Sequence, residues 1–173
     1  MLVREPIGGD MKAIAAGVLA IMASDASSQV NRPAIEHIGT PMLGGQRLPF
    51  SSAVRVGDLL FLSGQLGIGA DGKLPVGMEA QARQTMEHIG AVLKGQGLGF
   101  GDLVKCTVML DDMKDWPAFN KVYVTYFPDG KYPARSAFGA DGLALGALLE
   151  VECIAHAGPK EGPARDVSRS SSR

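Results

Sequence analysis

Cysteine is scarce in this chain, with only Cys106 and Cys153 among 173 residues. Two are too few for a disulfide framework, and neither has metal-ligand spacing around it. Each falls in an alternating apolar stretch, so both are read as buried small hydrophobes. The three histidines, His37, His88 and His156, are scattered, with no cysteine or acidic cluster nearby. A metal site or a nucleophile triad therefore has little support. Charge of one sign is also missing: 17 basic residues against 18 acidic ones leave a formal charge of -1. No block of Lys and Arg with interleaved aromatics occurs, which excludes the electrostatic footprint of a DNA-binding protein and weighs against RNA. Long apolar runs are absent too. The longest candidate, Ala13 to Ala23, has 11 residues, too few to span a bilayer as a helix.

What is present is an ordinary globular balance, 46% hydrophobic and 20% charged, in a length that suits one domain with a sizeable core. The ends differ from the middle. Met11-Lys12, the short apolar run and Ser24-Asp25-Ala26-Ser27 resemble a secretory leader over 11–26, with a cut after Ala26. The competing reading is a weakly helical N-terminal extension over 1–33. The first places the protein outside the cytoplasm, in a periplasm for instance, and the second leaves it cytoplasmic. Residues 158–173 hold Gly, Pro, Ser and charge with almost nothing apolar, and read as a disordered tail. The folded unit is then 34–157.

Within that unit, Ser52 to Val56 and Leu59 to Ser63 are β-prone runs joined by Gly57-Asp58, a hairpin signal. Ala82, Met86, Ile89 and Leu93 recur at helical spacing, which predicts a helix from Met78 to Lys94 ended by Gly95 and Gly97. Leu103 to Leu110 alternates as a strand, with Val104, Cys106, Val108 and Leu110 on one face. A second helix starts near Asp115, with Pro117 in its first turn and Phe119, Val122, Tyr123 and Tyr126 as a core-packing stripe. Strands at 134–140 and 147–156 close an α+β domain of order ββαβαββ, one sheet with both helices on one face. The other face stays partly apolar, and self-association would cover it.

Candidate chemistry lies in the last two strands. Glu150 and Glu152 share one face of the final strand, about 7 Å apart by the strand rise, near enough to affect each other's pKa if partly buried. The bland alternative is a solvated strand face. If those strands form a hairpin centred between Gly142 and Leu143, Arg135 pairs with Glu150. A guanidinium would then lie beside a carboxylate across adjacent strands. The alternative there is a structural ion pair, worth under about 1 kcal/mol if exposed.

Several segments in order resemble the Rid (reactive intermediate deaminase, or endoribonuclease L-PSP-like) family. They are Leu48-Pro49-Phe50-Ser51-Ser52, Gly57 to Gln65 with Ser63-Gly64, Gln81-Ala82-Arg83-Gln84-Thr85, Val104 to Val108, Phe119-Asn120-Lys121-Val122-Tyr123, Pro133-Ala134-Arg135-Ser136 and Glu150 to Ala155. The resemblance implies a chorismate-mutase-like homotrimer with sites in the clefts between subunits. It also implies hydrolysis of 2-aminoacrylate, 2-iminobutanoate and related enamine or imine acids to 2-keto acids and ammonia, without a cofactor or metal. It places Arg135 as substrate-binding and catalytic, Glu150 as catalytic, and Asn120, Ser63, Gly64, Phe50 and Ala137 as substrate-binding. Two departures stand out: Phe50 where the family often has Tyr, and Ala137 where a Cys is frequent. The glycine- and alanine-rich stretch from Gly139 to Ala147 implies a reshaped pocket wall.

Those residue types suit the chemistry. Arginine can hold a carboxylate in a two-pronged grip. A nearby glutamate can take a proton from water as it adds to the imine carbon. Two other functions compete: a non-catalytic regulatory binder of small carboxylates, and an RNA-cleaving translation inhibitor, against which the charge balance and the missing histidine pair argue.

Overall fold

The computed structural model describes residues 32–159. The leader and all but the first two residues of the tail lie outside the described residues. One six-stranded sheet carries the fold. Its members in chain order are β1 (Ile35–Ile38), β4 (Ala53–Val56), β5 (Leu59–Leu62), β6 (Leu103–Leu110), β7 (Ala134–Gly139) and β8 (Leu149–His156). A separate two-stranded ribbon, β2 (Met42–Leu43) with β3 (Gln46–Arg47), precedes β4. The helices are α1 (Met78–Lys94) and α2 (Trp116–Tyr123). The predicted ββαβαββ order is therefore present, with β1 added at an edge and the ribbon inserted after it.

Local chemistry explains the elements. Gly57 adopts φ 57° in the turn between β4 and β5, a conformation open to glycine at little cost. Ala82, Met86, Ile89 and Leu93 of α1 are fully buried. Each of the larger three contributes about 1.5–3 kcal/mol by leaving water. They meet Phe119 and Val122 of α2 and the sheet residues Leu60, Val108, Leu149 and Val151 in one core. Among the described residues no helix is long and apolar enough to cross a membrane.

The sheet order is β1-β4-β5-β8-β6-β7, and it overturns one expectation. β7 and β8 do not form a hairpin. β7 pairs parallel with β6, whereas β8 runs antiparallel between β5 and β6. The reason is the crossover through α2, which returns the chain at the same end of the sheet and so favours parallel pairing. The link after β7 then passes over the end of β6, tied there by Ala140 N–H to the Leu110 carbonyl (2.8 Å) and Asp111 N–H to the Leu148 carbonyl (3.0 Å). Arg135 stands opposite Cys106, and Glu150 stands opposite Met109.

A second correction concerns Val104. The register shifts between Leu103 and Lys105. This irregularity buries Leu103 and leaves Val104 44% exposed, because an extra residue in one strand reverses the alternation beyond it. The third concerns the cysteines. Both are buried, as expected, but they are joined: Cys106 and Cys153 face each other in the β6–β8 ladder, Cα atoms 4.1 Å apart, as a disulfide. A two-residue spacing rule could not reveal a partner 47 positions away.

Candidate functional site

Registered neighbours in a sheet project to the same side. Arg135 therefore shares the helix-covered face with Cys106 and Cys153. Its guanidinium lies 4.5 Å from the Trp116 ring centre, 4.4 Å from that of Tyr123 and 5.9 Å from that of Phe119. Stacking a cation on ring faces contributes about 0.5–2 kcal/mol and fixes its plane. No ion pair with a carboxylate is formed by Arg135 among the described residues, and its buried Nη1 has no hydrogen-bond partner. A desolvated donor of this kind is costly unless something accepts from it. The concavity beside it, about 390 Å³, is lined by Asn120, Tyr123, Val124, Tyr132, Pro133 and Arg135. Burial pushes the Tyr123 phenol up, and the adjacent Arg135 charge acts the other way.

Glu150 projects from the opposite face. It is half-buried, and this desolvation raises its carboxyl above the usual range, with the charge of Glu152 adding to the effect. The carboxylate packs against Gly64, where any Cβ would collide with Glu150 Oε1. Glycine at position 64 is thus what gives the carboxylate its place. The segment is pinned on both sides. Gln65 exchanges backbone hydrogen bonds with Val151 (2.9 and 3.1 Å). The buried Gln81 amide donates to the Pro75 carbonyl at 3.0 Å and accepts from Leu148 N–H at 2.9 Å. Gly67 lies so close to the Gln81 backbone that a side chain there would strike it.

The other expected residues divide between these two places. Asn120 lines the Arg135 concavity. Ala137, two residues on from Arg135 in β7, packs against the core on the helix side. Ser63, whose hydroxyl donates to the Ser51 carbonyl at 2.7 Å, lies with Phe50 in a second concavity of about 690 Å³. Phe50 and Gly64 also border a third, of about 620 Å³. Within one chain the structure assembles two partial sites: Arg135, Asn120 and Ala137 on one side, Glu150, Gly64, Ser63 and Phe50 on the other. The side-by-side pair expected from the hairpin register is not formed, since β6 intervenes and the two side chains leave opposite faces.

Sequence reasoning also missed the aromatic support of Arg135. Phe119 and Tyr123 were expected to serve the core alone, and Trp116 was not singled out. The available signal was an aromatic helix following a strand and preceding a lone Arg at a strand start. Among the described residues no group of His, Cys, Asp or Glu could hold a metal ion.

The fold and site thus define an α+β sheet protein with a ring-stacked arginine on one face and a partly desolvated carboxylate on the other. Comparison places it more narrowly. The family model described as Endoribonuclease L-PSP matches residues 45–157, and the chain belongs to that family, the Rid family. It is 41% identical over 113 residues to the 2-iminobutanoate/2-iminopropanoate deaminase of Mus musculus, covering 64% of this chain and 83% of that one. Among solved structures it resembles RidA from an Antarctic Psychrobacter (34% identity, TM-score 0.64, covering 70% of this chain and 98% of that one). It resembles E. coli TdcF with bound serine to the same TM-score, 0.64, at 32% identity, covering 70% of this chain and 98% of that one.

Proposed function

We propose that the protein hydrolyses short 2-imino and enamine acids, 2-aminoacrylate and 2-iminobutanoate among them, to 2-keto acids and ammonia. The working sites lie between neighbouring copies in a homotrimer. The observation that carries this reading is the unpartnered, buried Nη1 of Arg135, on an edge strand at a concavity. It is a donor held ready for an anion that the chain itself does not supply. The named activity of the mouse relative and the serine held by TdcF agree with an acid of this size.

In this scheme Arg135, with Asn120 beside it, grips the substrate carboxylate. Glu150 of an adjacent copy, its proton affinity raised by desolvation, takes a proton from water as the oxygen bonds to the imine carbon. Glu150 hands that proton to nitrogen, giving the carbinolamine. It then carries the proton of the new hydroxyl to the same nitrogen as C=O forms and the C–N bond breaks, so ammonia leaves with the keto acid behind. An enamine acid enters the same path after a proton shifts from its nitrogen to its terminal carbon. Positioning and one proton relay are sufficient for so reactive a substrate, and the scheme requires no cofactor.

Complementation between variants tests both the activity and the shared site. Arg135→Ala and Glu150→Ala should each lower kcat/KM by at least about a hundredfold, since removing one partner of a buried charge contact costs several kcal/mol. Refolded together in equal amounts, they should regain activity, because a mixed cyclic trimer holds one site with both groups intact. Random assembly restores about a quarter of the sites. If the mixture stays as inactive as its components, the shared site is wrong. If the wild type binds keto acids without accelerating imine loss, the protein is a carboxylate binder and not an enzyme.

A further inference from the structure

We infer that Tyr123 is a further substrate-binding residue: its hydroxyl and Arg135 Nη1 both donate to one oxygen of the substrate carboxylate. The inference rests on the deaminase reading for the identity of that acid, and gives the concavity beside Arg135 a second donor.

It starts from two unmet donors in one place. Among the described residues three buried side-chain polar atoms have no hydrogen-bond partner, and two of them are Arg135 Nη1 and the Tyr123 hydroxyl. Both residues line the same concavity of about 390 Å³, together with Asn120. The Arg135 guanidinium lies 4.4 Å from the Tyr123 ring centre, near enough for its charge to oppose the rise that burial imposes on the phenol. Buried polar groups are almost always paired, and an exception carries the full cost of losing water. Two such costs at one spot point to a shared cause.

Neither group can relieve the other. A guanidinium has donors only. The phenol oxygen could accept from it, yet the phenol's own proton would still need an acceptor, and the described residues provide none. The shortage is therefore of acceptors, beside a fixed positive charge. One carboxylate oxygen meets it, since it accepts two hydrogen bonds and carries the opposite charge. Burial keeps the phenol protonated, so it remains a donor.

The hydroxyl has no use within the chain. Tyr123 is 2% exposed, and its ring packs on Phe119 and Phe127 with centres 5.4 and 4.9 Å apart. Those contacts need the ring alone. Phenylalanine would fill the same position and leave no donor unmet. Tyr132, which is 54% exposed, stacks on Tyr123 at 6.4 Å. Exposed side chains reorient within nanoseconds, so rotation of Tyr132 admits an acid to both atoms.

The test is Tyr123→Phe, which keeps the ring and removes only the oxygen. Calorimetry with 2-oxobutanoate should show Kd raised at least about tenfold, the size of one hydrogen bond to a charged group. In imine turnover KM should rise by a similar factor with kcat held within about threefold, because a carboxylate contact serves substrate and transition state alike. At equal protein concentration the urea midpoint of the ligand-free variant should match or exceed that of the wild type, since an unmet donor is gone. Binding of 2-oxobutanamide, which lacks the charge, should weaken less than about threefold. An unchanged Kd for the acid overturns the proposal, as does an equal loss for acid and amide. A weakened Kd with a lowered urea midpoint also overturns it, by making the hydroxyl a support of the fold. Wild type that binds no keto acid has the same force. Failure of the deaminase reading looks different: 2-oxobutanoate is held through Tyr123, while the wild type leaves imine loss unaccelerated.

Discussion

The two faces of the sheet use the same strands for opposite purposes. The helix-covered face is dry, apolar and crossed by a disulfide, yet it admits one cation, because Trp116 and Tyr123 give Arg135 ring faces to lie on. The open face keeps its large apolar side chains wet. Leu59, Phe61 and Phe138 are 40%, 41% and 50% exposed, next to Glu150, Glu152, Lys105 and Thr107. A closed face stores a charge by stacking it. The open face keeps a carboxylate partly desolvated, which disfavours its charge and raises its proton affinity. Neither face has both parts of the proposed acid-binding, proton-moving site, and in the proposed trimer a neighbouring copy supplies the other part.

The sharpest way to break this comparison is to spoil the open face. Phe61→Asp together with Phe138→Asp should convert a trimer into monomers, read as a threefold fall in mass by light scattering, with activity lost alongside. Both positions are already solvated in the single chain, so its fold should persist. A double variant that stays trimeric and active would remove the open face from the assembly. A smaller effect concerns the closed face. Reducing the Cys106–Cys153 bridge should lower unfolding free energy by about 2–4 kcal/mol, the usual return for a loop of this size, seen as a lower denaturant midpoint. Unfolded, unreduced protein should show no titratable thiol, and two free thiols would contradict the pairing. The smallest effect is electrostatic. Glu150 must be deprotonated to accept a proton, so activity should fall as pH drops through its raised pKa. Glu152→Gln removes the lesser of the two causes and should move that acid limb to lower pH by less than about one unit. An unmoved limb would detach Glu150 from the proton transfer.

Much of the fold was legible beforehand for reasons that can be named. Helix α1 matches the predicted bounds because Ala82, Met86, Ile89 and Leu93 have no consistent alternative to a 3.6-residue period. The β4–β5 hairpin follows from Gly57, whose left-handed turn few other residues would accept. The site was legible only as residue types. Arg135 and Glu150 were identified, but their relation was misplaced, because an arithmetic register assumes that successive strands pair. Here α2 makes β6 and β7 parallel, and β8 enters between β5 and β6. The irregularity at Val104 was equally hidden, since an inserted residue leaves no mark in an alternation read from one strand alone.

By itself the chain's order of residues determined the two helices, the β4–β5 hairpin and the strands β6, β7 and β8, most of their apolar faces, and which side-chain types suit the proposed chemistry. These depend on neighbours within one or two turns, and local periodicity records them. Only the tertiary structure decided that Arg135 and Glu150 leave opposite faces, that Cys106 meets Cys153, and that the Arg135 guanidinium lies over Tyr123. Each of these depends on strand order. Strand order is set by long-range pairing and crossover geometry, energies to which no short stretch of sequence has access.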